Sequence, residues 1–306
     1  MGVRHFLTVA DLSKAEFEEV LAQAAEWKRC PIGDVLAGKT VALIFGKPST
    51  RTRVSFSVGV HQLGGMPLYL SEQELQMRTS ESIEDTARVL SRYVDAIVIR
   101  TFAQKDVEDL AAASSVPVIN ALTDDDHPCQ ALADIFTFRE RFADSTGRKI
   151  VYLGDGNNVA ASLAEAGAMG GIDVCLSVPE GYDLEVGKMA SIEALAAAHG
   201  TRVWVERDPE VAAAGASALY TDVWISMGQQ HDAAKVRTLW SYQLNADLLS
   251  RARSDAIVLH CLPAHRGQEI TDAAMDGPQS AVFDQAENRL HAQKALMAFL
   301  IGRHSP

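Results

Sequence analysis

The sequence predicts an α/β protein of two domains, each a parallel sheet flanked by helices, joined by crossover helices. Three observations carry that expectation. The chain has 306 residues, past the roughly 250–300 at which one hydrophobic core stops growing. Short apolar runs bounded by Gly, Pro and polar residues alternate with stretches of helical spacing, the pattern of βα units. The alternation occurs twice, from Thr40 to Ala121 and from Lys149 to Cys261. Residues 1–142 are therefore read as one domain, with a C-terminal helix over 290–306 packing back on it, and 148–286 as the other.

Composition narrows the function classes. Hydrophobic residues make up 47% and charged residues 22% of the chain, as in soluble globular proteins. A net charge of −12 argues against a nucleic-acid or anionic-membrane partner, so any anion site must be a local positive pocket. Cys30, Cys129, Cys175 and Cys261 form no CxxC pair. They are read as reduced thiols of a cytoplasmic protein, with neither a disulfide frame nor a metal site. The N-terminus lacks the apolar core of a signal peptide, and no run reaches the roughly 18 apolar residues of a membrane helix.

In chain order, Asp11 to Trp27 reads as an amphipathic helix opened by a Ser13-x-x-Glu16 capping box. Thr40 to Phe45 reads as a buried strand, broken by Gly46, Lys47 and Pro48. Val54, Val58, Val60 and Leu63 then follow helical spacing until Gly64-Gly65. Ser49-Thr50-Arg51-Thr52-Arg53 thus lies where a strand feeds a helix N-terminus, whose free N–H groups and dipole favour anions. Hydroxyls and a forked guanidinium suit phosphate. Arg51 and Arg53 project about 200° apart on a helix, so Arg51 is assigned to the anion and Arg53 to a structural ion pair. An ordinary N-cap with surface arginines fits the same residues.

Further along, Met66–Leu70, Ala96–Arg100 and Val116–Ala121 read as strands, Ser82–Tyr93 and Lys105–Ala113 as helices, and Ser71–Ser80 as a polar loop. Arg100 falls at a strand's carboxyl end, where ligands bind in such sheets. Asp124 to Pro128 opens a helix running from Cys129 to about Phe142, with Pro128 at its first position. His127 and Gln130 share one side of its first turn, and both can donate to a carbonyl oxygen. A capping histidine satisfied by its surroundings is the other reading of His127.

The second half reads as strands Ile150–Leu153, Asp173–Ser177, Arg202–Glu206, Ala218–Thr221 and Ala256–Cys261. Gly154-Asp155-Gly156-Asn157-Asn158 invites a dinucleotide reading. Val159 replaces the third Gly of that fingerprint, however, and no acidic residue follows Ser177 on the next strand tip. The asparagines are better read as donors to a small polar ligand. Asp222 to Gly228 follows the fourth strand. Gln229 to Ser241 is either a lid hinged at Gly228 or an ordinary long loop. His260 and Cys261 are neighbours on a strand and so point to opposite faces, which argues against a Cys–His nucleophile pair. Ala286 to Leu290 opens a last helix through Ile301.

Ser49-Thr50-Arg51-Thr52-Arg53, His127-Pro128-Cys129-Gln130 and His260-Cys261-Leu262-Pro263, in this order and at these distances, resemble the transcarbamylase family. Asp222-Val223-Trp224-Ile225-Ser226-Met227-Gly228 is similar to the acceptor motif of its ornithine branch. The resemblance covers nearly the whole chain. It implies carbamoyl transfer from carbamoyl phosphate to the δ-amine of L-ornithine, in arginine biosynthesis, without cofactor or metal. It also implies a homotrimer with active sites shared between neighbouring subunits. By position, Ser49, Thr50, Arg51 and Thr52 correspond to phosphate ligands, and Arg100, His127 and Gln130 surround the carbamoyl group. Gln76 matches a loop reaching into the next subunit's site. Asn158, Asp222, Ser226 and Met227 match the ornithine site, and Cys261, Leu262 and Arg289 the junction of the two substrates, with Arg100, His127 and Cys261 as the catalytic set. Ser57, Ala161 and Gln230 depart from the usual pattern. Transfer to putrescine or N-acetylornithine remains an alternative, as does, from another class, an NAD-dependent dehydrogenase. Aspartate as acceptor is disfavoured, because Asp222 has the sign that suits an ammonium.

Overall fold

The computed structural model describes residues 2–71, 81–225 and 232–302. The chain forms two compact units, Met1–Phe136 with Asn288–Pro306, and Thr137–Glu287.

The first unit carries β1 (Thr40–Phe45), β2 (Met66–Ser71), β3 (Ala96–Arg100) and β4 (Val118–Leu122). They form one parallel sheet in the order β2-β1-β3-β4. The helices are α1 (Lys14–Arg29), α2 (Thr50–Gln62), α3 (Ile83–Leu90) and α4 (Gln104–Ala113). The capping box at Ser13 and Glu16 forms and starts α1. Every residue of β3 and β4 is buried, as helices covering both faces of a parallel sheet require. Ile44, Ile97, Ile99, Val107 and Leu110 lie in the core. The N-terminal segment covers the β4 edge, with Phe6 N–H donating to Val118 O and Asn120 N–H to Phe6 O, both at 2.8 Å. β4 spans Val118–Leu122 rather than the expected Val116–Ala121, and the pairing with Phe6 blunts an otherwise open edge.

Helix α5 (Pro128–Arg141) carries the chain from the first unit into the second. The second unit holds β5 (Lys149–Leu153), β6 (Asp173–Ser177), β7 (Val203–Val205), β8 (Ala218–Thr221) and β9 (Ile257–His260). They form a parallel sheet in the order β7-β6-β5-β8-β9. Around it lie α6 (Asn158–Gly170), α7 (Val186–His199), α8 (Pro209–Ala213), α9 (Ala233–Leu239), α10 (Ala246–Arg251) and α11 (Asp272–Met275). Val151, Leu153, Leu219, Val258 and Ile270 form its core. Helix α12 (Val282–Ile301) returns the chain to the first unit.

Two expectations change. The last helix begins at Val282, not Leu290. The polar residues from Ala286 to Leu290 read as a helix opening, yet Asn288 and Arg289 are buried within the helix. Residues 233–241, expected as part of a loop or lid, are helical: Asp232 caps α9 by accepting from Ala234 N at 2.8 Å and Lys235 N at 3.1 Å, and a 3-10 turn follows over Trp240–Tyr242. Gln76 and the rest of the supposed lid, 229–231, lie outside the described residues.

In each sheet the strand order reverses at one strand, where connections leave in opposite directions. The reversals lie between β1 and β3 and between β5 and β8. In open parallel sheets, ligands bind outside the strand carboxyl ends at such switch points.

Candidate active site

The switch point of the first unit is flanked by the turn after β1 and by the end of β3. Ser49 is the N-cap of α2, its Oγ accepting from Thr52 N at 3.3 Å. Thr50, Arg51 and Thr52 are therefore the first three helical residues. Early helical N–H groups have no intrahelical acceptor, which leaves an anion-binding face beside the residues named for phosphate. Thr52 Oγ1 is fully buried and accepts from Ser49 Oγ at 2.9 Å and from Arg289 Nη2 at 2.7 Å. Arg289, 237 positions away in sequence, reaches the α2 N-terminus because α12 returns to this unit. Arg51 Nε is buried with no partner among the described residues. Arg53 makes no ion pair among the described residues. Its guanidinium stacks 3.7 Å from the centroid of the Tyr69 ring, so the expected ion pair is replaced by a cation–π contact.

Arg100 is buried at the end of β3 and His127 at the mouth of α5. Burial holds the His127 imidazole well below its ordinary range, and the positive charges of Arg289 and Arg100 act in the same direction. His127 is thus a neutral donor set among cations. Gln130 behaves differently from expectation. Its Nε2 donates to Asp134 Oδ1 at 2.8 Å, which fixes the amide orientation. Its Oε1 is buried without a partner among the described residues. Gln130 therefore offers an acceptor, suited to an N–H₂ group rather than to a carbonyl oxygen. The neighbouring Cys129 is structural: its thiol donates to Asn120 O at 3.3 Å, and burial pushes its pKa up to about 12. Lys47, read from sequence only as part of a strand break, is buried, pairs with Asp124 and sits 4.4 Å from the Phe102 ring centroid.

In the second unit the switch point is flanked by Gly154–Asn158 after β5 and Asp222 after β8. Asn157, expected as a donor to a small polar ligand, instead organises this end from within the protein. Its Oδ1 caps α6 by accepting from Val159 N at 3.0 Å and Ala160 N at 3.1 Å, and it takes the Tyr152 hydroxyl at 3.0 Å. Its Nδ2 then donates to Asp222 Oδ2 at 2.9 Å. Burial, then the nearby carboxylates of Asp222 and Asp155, raise the Tyr152 phenol well above its ordinary value, so it stays a donor. Asp222 Oδ1 accepts from Cys261 Sγ at 2.9 Å. Asn158 is the first residue of α6, and Asp155 pairs with Lys235 at 2.6 Å. Gly156 is required by the fold rather than by a nucleotide: a Cβ there would lie 2.4 Å from Tyr182 O. Leu262 follows Cys261 with φ +59°. Cys261 and Leu262 belong to this unit, whereas the other residues named for carbamoyl phosphate that are described lie in the first. Ser226 and Met227 lie outside the described residues.

Asp222, His260 and Cys261 bring one donor atom each within 4.8 Å of one another, a set that could hold a metal ion. Each is engaged within the protein. Asp222 holds Asn157 and Cys261, while His260 accepts Leu262 N–H at its Nδ1, 2.9 Å away, and meets Glu269 through its Nε2 at 3.1 Å. The thiol's partner is thus a carboxylate and not the adjacent imidazole, as strand geometry predicted.

The arrangement offers an anion cradle with neutral and cationic donors in one unit, and a carboxylate–thiol pair in the other. Comparison with known proteins gives the family. Residues 4–140 match the family of the aspartate/ornithine carbamoyltransferase carbamoyl-P binding domain, and residues 146–300 its Asp/Orn binding domain. An ornithine carbamoyltransferase of Symbiobacterium thermophilum is 49% identical over 97% of this chain and 98% of its own. One of Thermococcus kodakarensis is 52% identical over 98% and 96%. The solved structure of ornithine carbamoyltransferase from Pyrococcus furiosus superposes with a TM-score of 0.96 at 48% identity, covering 99% of each chain. The chain belongs to the aspartate/ornithine carbamoyltransferase family.

Proposed function

We propose that the chain is an ornithine carbamoyltransferase. It transfers the carbamoyl group of carbamoyl phosphate to the δ-amine of L-ornithine, giving L-citrulline and phosphate, as a step of arginine biosynthesis in the cytoplasm. The α2 N-terminus with Ser49, Thr50, Arg51 and Thr52 takes the phosphate. Arg100, His127 and Thr52 meet the carbonyl oxygen, and the Gln130 oxygen accepts from the carbamoyl amine. The neutral δ-amine attacks the carbamoyl carbon, and its electron pair forms the new C–N bond. Negative charge gathers on the carbonyl oxygen, where preorganised donors stabilise it. The C–O bond to phosphate then breaks, and the bridging electron pair leaves with phosphate held by Arg51 and the helix N-terminus. The proton shed by the amine passes to that phosphate or to solvent. Free alkyl amines have a pKa near 10.4, and desolvation lowers it, so binding favours the reactive neutral form.

Asp222 carries the choice of acceptor. It is buried, held by Asn157 and Cys261, and its charge suits the α-ammonium of ornithine while repelling aspartate. Asn158, Ser226 and Met227 complete the α-amino-acid end. We further infer a homotrimer in which Gln76 serves a neighbouring subunit's site. The test is citrulline formation from carbamoyl phosphate, with ornithine, putrescine, N-acetylornithine and aspartate assayed side by side. Turnover with ornithine at least tenfold above the other acceptors supports the reading; a faster rate with any other replaces it.

A further inference from the structure

The segment after β9 is stapled by a buried pair that the reaction itself does not use. His260 and Glu269 side chains are both 0% exposed. His260 Nδ1 accepts the Leu262 N–H at 2.9 Å, so the neutral ring carries its proton on Nε2. That Nε2–H donates to Glu269 Oε1 at 3.1 Å, and the same oxygen accepts the backbone N–H of His265. One carboxylate oxygen thus ties down both ends of the excursion from Leu262 to His265. Leu262 needs such a tie. Among the described residues it is the non-glycine residue at positive φ, +59°. A left-handed leucine is strained and persists only where its surroundings over-determine it.

We propose that Glu269 and His260 are positioning residues. The chain Glu269–His260–Leu262 N–H holds Leu262 in the left-handed conformation, and so fixes where Cys261 and Leu262 meet the reacting groups. The proposal rests on the carbamoyl-transfer reading for the role of those two residues. The chain works by geometry and moves no proton to the reaction: Nδ1 is engaged by a backbone N–H, and the Cys261 thiol donates to Asp222 at 2.9 Å.

Two substitutions separate geometry from charge. Glu269→Gln removes the charge but retains an oxygen at the same reach. Glu269→Asp retains the charge but withdraws the oxygen by one methylene. Citrulline formation per carbamoyl-phosphate-binding site, counted by calorimetry, is measured for both across pH 6–9. Glu269→Gln is expected to keep kcat within about threefold of the parent with the same pH profile. Glu269→Asp is expected to lose kcat by on the order of a hundredfold, the cost of a displacement near 1 Å. Its ornithine KM and carbamoyl-phosphate affinity should change far less than kcat, since Asn158 and the Ser49–Thr52 turn are untouched. Alkylation of Cys261 by iodoacetamide, followed on its own peptide by mass spectrometry, should quicken in Glu269→Asp and not in Glu269→Gln. Glu269→Gln as slow as Glu269→Asp, or Glu269→Asp at the parent rate, overturns the proposal. A parent that makes no citrulline defeats the functional reading alone, and the alkylation rates then decide the brace by themselves.

Discussion

Arg51 and Asp222 show how far single side chains can be assigned. Arg51→Ala removes a charge-assisted fork from the α2 N-terminus, so carbamoyl-phosphate affinity should fall by about 3 kcal/mol by calorimetry. Arg53→Ala should leave that affinity intact, because Arg53 spends its guanidinium on Tyr69. Asp222→Asn keeps shape and removes charge. It should raise ornithine KM and lower kcat while carbamoyl-phosphate affinity stays unchanged, because the anion cradle lies in the other unit. The reverse pattern would exchange the roles of the two units. The parent rate should climb with pH above neutrality as the δ-amine loses its proton. His127 should add no limb near its ordinary value of 6.5, since its pKa lies well below that and the ring is already neutral there. The place of Ser49 to Thr52 at a helix start is legible in sequence because a strand break, a cap and a helix start are local signals. The Asn157–Asp222 bond joins residues 65 positions apart, and nothing in either local pattern encodes that pairing. The same holds for Glu269 beneath His260.

Elements explain why these residues stay in place, and where the sequence misled. Gly154-Asp155-Gly156 resembles a nucleotide turn, yet Gly156 is demanded by the backbone at 182–184, which a Cβ would meet at 2.4–2.9 Å. Gly156→Ala should destabilise the protein by about 1–3 kcal/mol in thermal melts and raise ornithine KM, because Asn157 follows directly. A full-stability variant would mean that the 182–184 segment yields easily. Helix α12 offers a second test. Lys294 is fully buried and donates to Trp27 O at 3.1 Å, Pro31 O at 3.0 Å and Gln62 Oε1 at 2.8 Å. Burial lowers its pKa from 10.5 to about 8. Between those values the folded chain binds fewer protons than the unfolded one, so this group makes stability rise with pH. The stability of the parent relative to Lys294→Met should therefore increase from pH 8 to pH 10; a flat difference would show that the ammonium is not perturbed. Strands β1, β3, β6 and β8 were read at their observed bounds, because buried parallel strands are short apolar runs with clear breaks. The start of α12 is not legible because buried Asn288 and Arg289 imitate a polar boundary. Helix α9 is not legible because it is short and mostly exposed, and its start is set by the Asp232 cap rather than by an apolar stripe.

At the scale of the whole molecule the chain must bring a dianion to a protein of net charge −12. No long-range field of that sign helps the anion in, so the proposed site must draw it by the local charge of Arg51, Arg100 and Arg289. If one more contact comes from a neighbouring copy, assembly becomes part of binding. Gln76 lies far in sequence from every other proposed ligand, on a polar stretch between β2 and α3, and the proposed trimer assigns it to the next subunit's site. Symmetry makes this testable. A Gln76→Ala chain and an Arg51→Ala chain should each be inactive as pure trimers, because every site then lacks one member. In a mixed trimer, a site built from the Arg51 of a Gln76→Ala chain and the Gln76 of an Arg51→Ala chain has both. Random exchange at equal amounts makes roughly a quarter of the subunit pairings complete. Mixing the two inactive proteins under conditions of verified subunit exchange should therefore restore citrulline formation towards that fraction of the parent rate. Were the sites self-contained, each chain would carry its own defect into every hybrid, and the mixture would stay inactive however long exchange is allowed.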